Sequence, residues 1–159
     1  MILSLGTSDV LLAVVAGSLR ELENLQLKRP RGVVKGYGLK ADGRGDFQVH
    51  IDGALGELAL SRCLNVHWAG KGTFKGADLG ENIQVRTTER DGPLSLILHP
   101  SDDDDDLFYC VRRFERSLKF EIFKPMLGRD GKRQEFWKTH TKQGEPLQAP
   151  AFFAPIEPL

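Results

Sequence analysis

Apolar residues recur at helical spacing from the start of the chain. Leu11, Val15, Leu19 and Leu22 follow a 3.6-residue repeat, which predicts a helix ending near Gln26 with that stripe turned to the core. Thr7 or Ser8 is placed to cap it, and Asp9 suits its first turn. Further on, Phe47, Val49 and Ile51 alternate as in a strand. Asp52 then suits the N-cap of a second helix over about 54–64, whose Leu55, Leu58 and Cys63 face inward and whose Glu57 lies near its start. A strand or loop with aromatic, lysine and glycine residues runs to Asp78. Ile83–Thr88, Leu94–His99, Leu107–Phe114 and Leu118–Leu127 read as strands; the last two pair through a short link at Glu115–Ser117, and Asp91-Gly92-Pro93 is a turn before the second. "GRDGK" is a turn and "QEFWKTH" a helical turn or loop. The apolar, proline-rich end "APAFFAPIEPL" packs on the body in extended form.

A length of 159 residues suits one domain, and 40% hydrophobic with 28% charged residues supports a globular core. Formal net charge is zero, with 22 basic and 22 acidic side chains, so a strongly basic nucleic-acid coat is excluded. The charge is unevenly spread, however. In "KRPRGVVKGYGLKADGRGD" (28–46), basic residues including Arg29, Arg31 and Lys35 outnumber the acids among many glycines. This is either a solubilising loop or a contact for phosphates. Cys63 and Cys110 lack CxxC spacing and a Cys/His cluster, and read as buried thiols in a reducing compartment. The apolar N-terminus has no basic n-region and is interrupted by Asp9, which favours a helix over a signal peptide; no run reaches the length of a membrane span. A cytoplasmic protein is expected.

The chemistry concentrates around "GADLGENIQVRT". On a strand, Gln84 and Arg86 share one face, roughly 6–7 Å apart, while Ile83 and Val85 point to the other. An acidic turn at Asp78 and a helix carrying Glu57 lie nearby in sequence. Carboxylates from a strand mouth and a packed helix, with a further oxygen donor on the next strand, can hold Mg²⁺ or Mn²⁺, and a neighbouring cation can stabilise charge on a phosphate under attack.

The order Glu57, Asp78, Gln84, Arg86 resembles the PD-(D/E)XK nuclease superfamily: a helical Glu, an Asp, then an acid or Gln, one residue, and Lys. The stretches "HIDGALGELAL", "NVHWAGKGTFKGADLG", "QVRT", "LSLILHPSDDDDDLFYCV" and "PAFFAPIEPL" resemble a group of uncharacterised phage and prophage proteins of that superfamily, over most of residues 47–159. The resemblance implies a single α/β domain with a mixed central, restriction-endonuclease-like sheet. Residues 1–46 would form an N-terminal helix and basic loop, and 47–159 the nuclease-like core with an extended tail. It further implies Mg²⁺- or Mn²⁺-dependent phosphodiester hydrolysis on DNA in the host cytoplasm. Glu57 and Asp78 would hold metal, Gln84 would offer a carbonyl oxygen, and Arg86 would steady the phosphate. Arginine stays protonated and cannot replace a lysine as base.

His50 matches the phage group's "HI(D/E)GAxGE" pattern; it is a proton shuttle or water-positioning group, or only a strand-end histidine. Lys71 and Lys75 flank Phe74 as a backbone grip with a stacking ring would, or Phe74 is core. Asp102–Asp106 reads as a solvated turn, since five adjacent acids cannot all point at one ion and no EF-hand spacing is present. The competing function is a non-catalytic module on the same fold that binds nucleic acid, or a phage or host protein.

Overall fold

The computed structural model describes residues 1–27, 46–70, 76–89, 94–115, 117–140 and 144–159. Arg29, Arg31, Lys35, Lys71 and Lys75, the expected nucleic-acid contacts, lie outside the described residues, as does Phe74.

The chain folds as a single α/β domain with a mixed sheet. That sheet runs in the order β1 (Ile2–Ser4), β5 (Lys119–Ile122), β4 (Leu107–Arg113), β2 (Ile83–Thr88), with β6 (Met126–Leu127) also paired to β4. β2 and β4 are parallel, Ile83 opposite Leu107, and the other pairs are antiparallel. A second, antiparallel sheet has the order β3 (Ser95–Leu98), β8 (Pro146–Pro155), β7 (Trp137–His140).

β4 shows why the layers stack as they do. Side chains alternate across a strand. Tyr109 and Val111 join a core with Leu55, Leu58 and Leu60 of helix α2 (Asp46–Leu64), whereas Phe108 and Cys110 pack with Leu96, Leu98 and Ala154 of the second sheet. A strand covered on both faces reads as a continuous apolar run, and "FYCV" is one. Burial pushes the Cys110 thiol up to about 12, so it stays a neutral packing group.

Helix α1 (Thr7–Gln26) lies on α2, but not through the expected stripe. Leu11, Val15, Leu19 and Leu22 face outward, and the buried row is Ala13, Ala16, Gly17 and Glu21. Small residues win because they let the helix backbones approach: a Cβ on Gly17 would stand 2.6 Å from the Cα and N of Ile51. Gly17→Ala should therefore destabilise the protein by about 1–2 kcal/mol, the backbone clash outweighing the gain in helix propensity. Urea denaturation measures this, and a more stable variant would show that the helices separate freely.

The entry to α1 is capped at Gly6, whose N–H donates to Asp9 Oδ2 at 3.3 Å, not at Thr7 or Ser8. α2 also begins earlier than expected. Phe47, Val49 and Ile51 belong to it, and three alternating apolar residues cannot tell a strand from a helix edge. Asp52 is consequently no cap. It is buried inside the helix, accepting from Gln48 Nε2 one turn back at 2.6 Å and from Arg113 Nη1 of β4 at 2.8 Å.

Residues 66–70 are irregular rather than strand, and turns occupy 100–102. β3 forms as expected but in the second sheet. The segment 118–127 divides into β5 and β6, "QEFWKTH" becomes a 3₁₀ turn and β7, and the extended tail becomes β8. Among the described residues no helix is long and apolar enough to cross a membrane.

Candidate functional site

β2 ends the order of the first sheet, and its outward backbone groups need partners. The chain supplies them by doubling back just before the strand. Asp78 N–H donates to Ile83 O at 2.9 Å, the turn between them passing through Gly80 at φ 58°, a left-handed conformation that suits glycine. The Asp78 carboxylate then accepts the Val85 N–H through Oδ2 at 2.7 Å.

On the other face of β2, away from Val85 and the helix-side core, stand Gln84 and Arg86. Gln84 Nε2 donates to Gly76 O at 3.2 Å and to Asp106 Oδ2 at 2.8 Å. Arg86 Nη2 pairs with Asp102 Oδ2 at 3.0 Å, and its guanidinium lies 5.2 Å over the Phe108 ring. Asp102 is itself fixed by the His99 N–H at 2.9 Å.

From the helix side, Glu57 is buried and its two oxygens accept from Arg20 of α1, Nη1 to Oε1 at 2.6 Å and Nη2 to Oε2 at 2.5 Å. The Trp68 indole N–H adds a third bond at 3.0 Å. His50, one helical row from Glu57 on α2, lies 3.3 Å from Glu21 Oε2 and 3.1 Å from Asn24 Nδ2 of α1.

These groups surround one polar cleft of about 640 Å³. His50, Asp78, Gln84 and Arg86 line it together with Arg20, Glu81, Asp102, Asp103 and Asp106, while Glu57 sits behind Arg20. Four of the five residues singled out from the sequence for catalysis line this cleft, and Glu57 does not. Arg20, Trp68, Asp102 and Asp106 were missed. The acidic run is only partly a solvated turn: Asp104 and Asp105 pair outward with Lys132 and Arg129, but Asp102 and Asp106 hold Arg86 and Gln84 of β2.

Asp78 is the electrostatic centre. Its pKa rises from 3.8 to about 6, first because burial penalises its charge and then because Glu57 adds a like charge; the Val85 N–H, Arg86 and Arg20 oppose this without cancelling it. Burial pulls Arg20 down, yet its bonds to Glu57 and the charges of Glu57 and Asp78 outweigh that and leave it raised above its ordinary value. Lining the cleft are five carboxylates against two guanidiniums, both already ion-paired. Among the described residues no three His, Cys, Asp or Glu side chains are preassembled around one point. No protein-family model, curated protein or solved structure matches the chain.

Proposed function

We propose that the cleft is the active site of a metal-dependent phosphodiesterase acting on DNA. The observation that carries this reading is the strained charge of Asp78, a half-buried carboxylate at the cleft wall whose ionisation Glu57 makes harder and no cation fully offsets. A divalent cation would relieve it, and an acidic cleft needs such an ion before it can accept a phosphodiester at all. The order Glu57, Asp78, Gln84, Arg86 along the chain, with its resemblance to the PD-(D/E)XK pattern, supports the same reading.

Asp78 would hold Mg²⁺ or Mn²⁺, with the oxygens of Gln84 and Asp106 as neighbouring donors. Glu57 is committed to Arg20 and Trp68, and acts on Asp78 through its charge. When bound, the ion supplies a Lewis acid for the phosphate and lowers the pKa of attacking water. Arg86, held by Asp102 at the cleft wall, orients a phosphate oxygen and stabilises charge there, and it removes no proton. His50, paired with Glu21 and lining the cleft, would pass a proton there.

Plasmid nicking and single-strand cleavage by the full chain, with Mg²⁺ or Mn²⁺, test the proposal. Asp78→Ala should lower cleavage by at least about a hundredfold with its fold retained. Wild-type protein that cuts no form of DNA with either ion would sink the reading. One observation favours the alternative of a non-catalytic module: Arg20 and Trp68 occupy both oxygens of Glu57. That alternative expects salt-dependent DNA binding that persists without metal and ignores Asp78→Ala.

A further inference from the structure

Helix α1 is inverted relative to an ordinary surface helix. Its charged residues Asp9, Arg20, Glu21 and Glu23 are buried or half-buried, and its exposed positions carry no charge. Leu11, Leu12, Val15, Leu19, Leu22 and Leu25 are 62, 54, 58, 58, 46 and 37% exposed. At these exposures the six side chains present on the order of 550 Å² of apolar surface, at the upper end of the ~300–600 Å² of the largest patch on a typical monomer. The area is of the same order as the ~800 Å² that each partner contributes to a standard stable interface.

We infer that this face is the homodimer interface, closed by α1 of a second copy packed antiparallel. Three features point to that occupant. Leu12, Val15, Leu19 and Leu22 follow the alternating three- and four-residue spacing of a coiled-coil seam, the pattern that another helix fills. In an antiparallel pair centred at position 17, Leu12 meets Leu22 of the second copy and Val15 meets Leu19, so one patch is its own complement, as a two-fold interface requires. The chemistry also disfavours a membrane surface. An interfacial helix carries basic residues on its polar face, whereas α1 offers three acids and Arg20, which Glu57 holds. The inference is independent of the chemistry in the cleft.

Sedimentation equilibrium of the full chain over a wide concentration range tests it. The wild type should sediment as a dimer. Val15→Glu/Leu19→Glu, both substitutions at outward positions, should weaken dimerisation by at least about a hundredfold and leave the helical circular dichroism unchanged. If that variant fails to fold, Leu19→Ser in the same series should still weaken the dimer. A wild-type chain that stays monomeric overturns the inference, whether its face is then found on lipid vesicles, on another protein or beneath residues 28–45. So does a dimer indifferent to these substitutions.

Discussion

Arg20→Met should destabilise the protein by about 3–5 kcal/mol, the largest loss expected from any single polar substitution here. The cost does not come from the attraction of the pair as such. Exposed ion pairs contribute little because water screens them and their long side chains must be ordered. Arg20 and Glu57 are different, with side chains 13 and 7% exposed and two parallel hydrogen bonds between them. Removing the guanidinium leaves the Glu57 carboxylate buried with, among the described residues, only the Trp68 indole as donor, beside the charge of Asp78. The buried Glu57 and the half-buried Asp78 then face each other with less compensation, and Asp78 loses one of the charges that hold its pKa down. The double substitution Arg20→Met/Glu57→Leu should recover much of the loss, since it removes both charges together. Urea denaturation of the two single variants and the double variant checks this. A single-variant loss below about 1 kcal/mol would mean that the pair behaves as a surface bridge.

The same pair explains what could and could not be read from the sequence. β2 was legible to the residue because Ile83–Arg86 alternates apolar and polar side chains after a glycine turn and Thr87 and Thr88 are β-branched. β4 was legible because a run buried on both faces needs no periodicity to stand out. The orientation of α1 was not. Two stripes compete on that helix, one of leucine and valine, the other of Ala13, Ala16, Gly17, Arg20 and Glu21. Hydrophobicity alone selects the first. The second packs because Gly17 permits close approach and because Arg20 and Glu21 find Glu57 and His50, seven residues apart on the same side of α2. That complementarity belongs to two helices at once and is invisible in either.

The site divides along the same line. Asp78, Gln84 and Arg86 form a local motif, so their neighbourhood could be inferred from spacing. Arg20 comes from 58 positions before Asp78, and only the fold brings it into the cleft. The members of the acidic run take different partners. What spacing could not show is that the divergence has a use: Asp102 and Asp106 turn back onto Arg86 and Gln84 and fix how β2 presents them.

Asp78→Asn should make the protein more stable near neutral pH while abolishing its response to divalent cations. In the unfolded chain Asp78 titrates at its ordinary 3.8, and in the fold at about 6. Between these values the native state holds the extra proton, so this group's contribution to stability falls as pH rises from about 4 to about 6 and stays low above that. The gap of 2.2 pH units (6 − 3.8) corresponds to at most about 3 kcal/mol at 1.36 kcal/mol per unit. Asparagine cannot ionise, yet its carbonyl can still accept the Val85 N–H that Asp78 accepts at 2.7 Å. The stability difference between variant and wild type should therefore be near zero at about pH 4 and reach its maximum above about pH 6. Urea denaturation across that window reads it directly, and a difference that does not change with pH would remove Asp78 as the strained charge. Thermal unfolding with added Mg²⁺ or Mn²⁺ then separates strain from function. The wild type should rise in melting temperature above about pH 6 and lose the rise below it, where the ion must compete with the proton. The asparagine variant should not respond at any pH. A variant gaining stability with no cation response in the wild type would leave Asp78 a strained residue without a ligand, and would remove the support on which the phosphodiesterase reading rests.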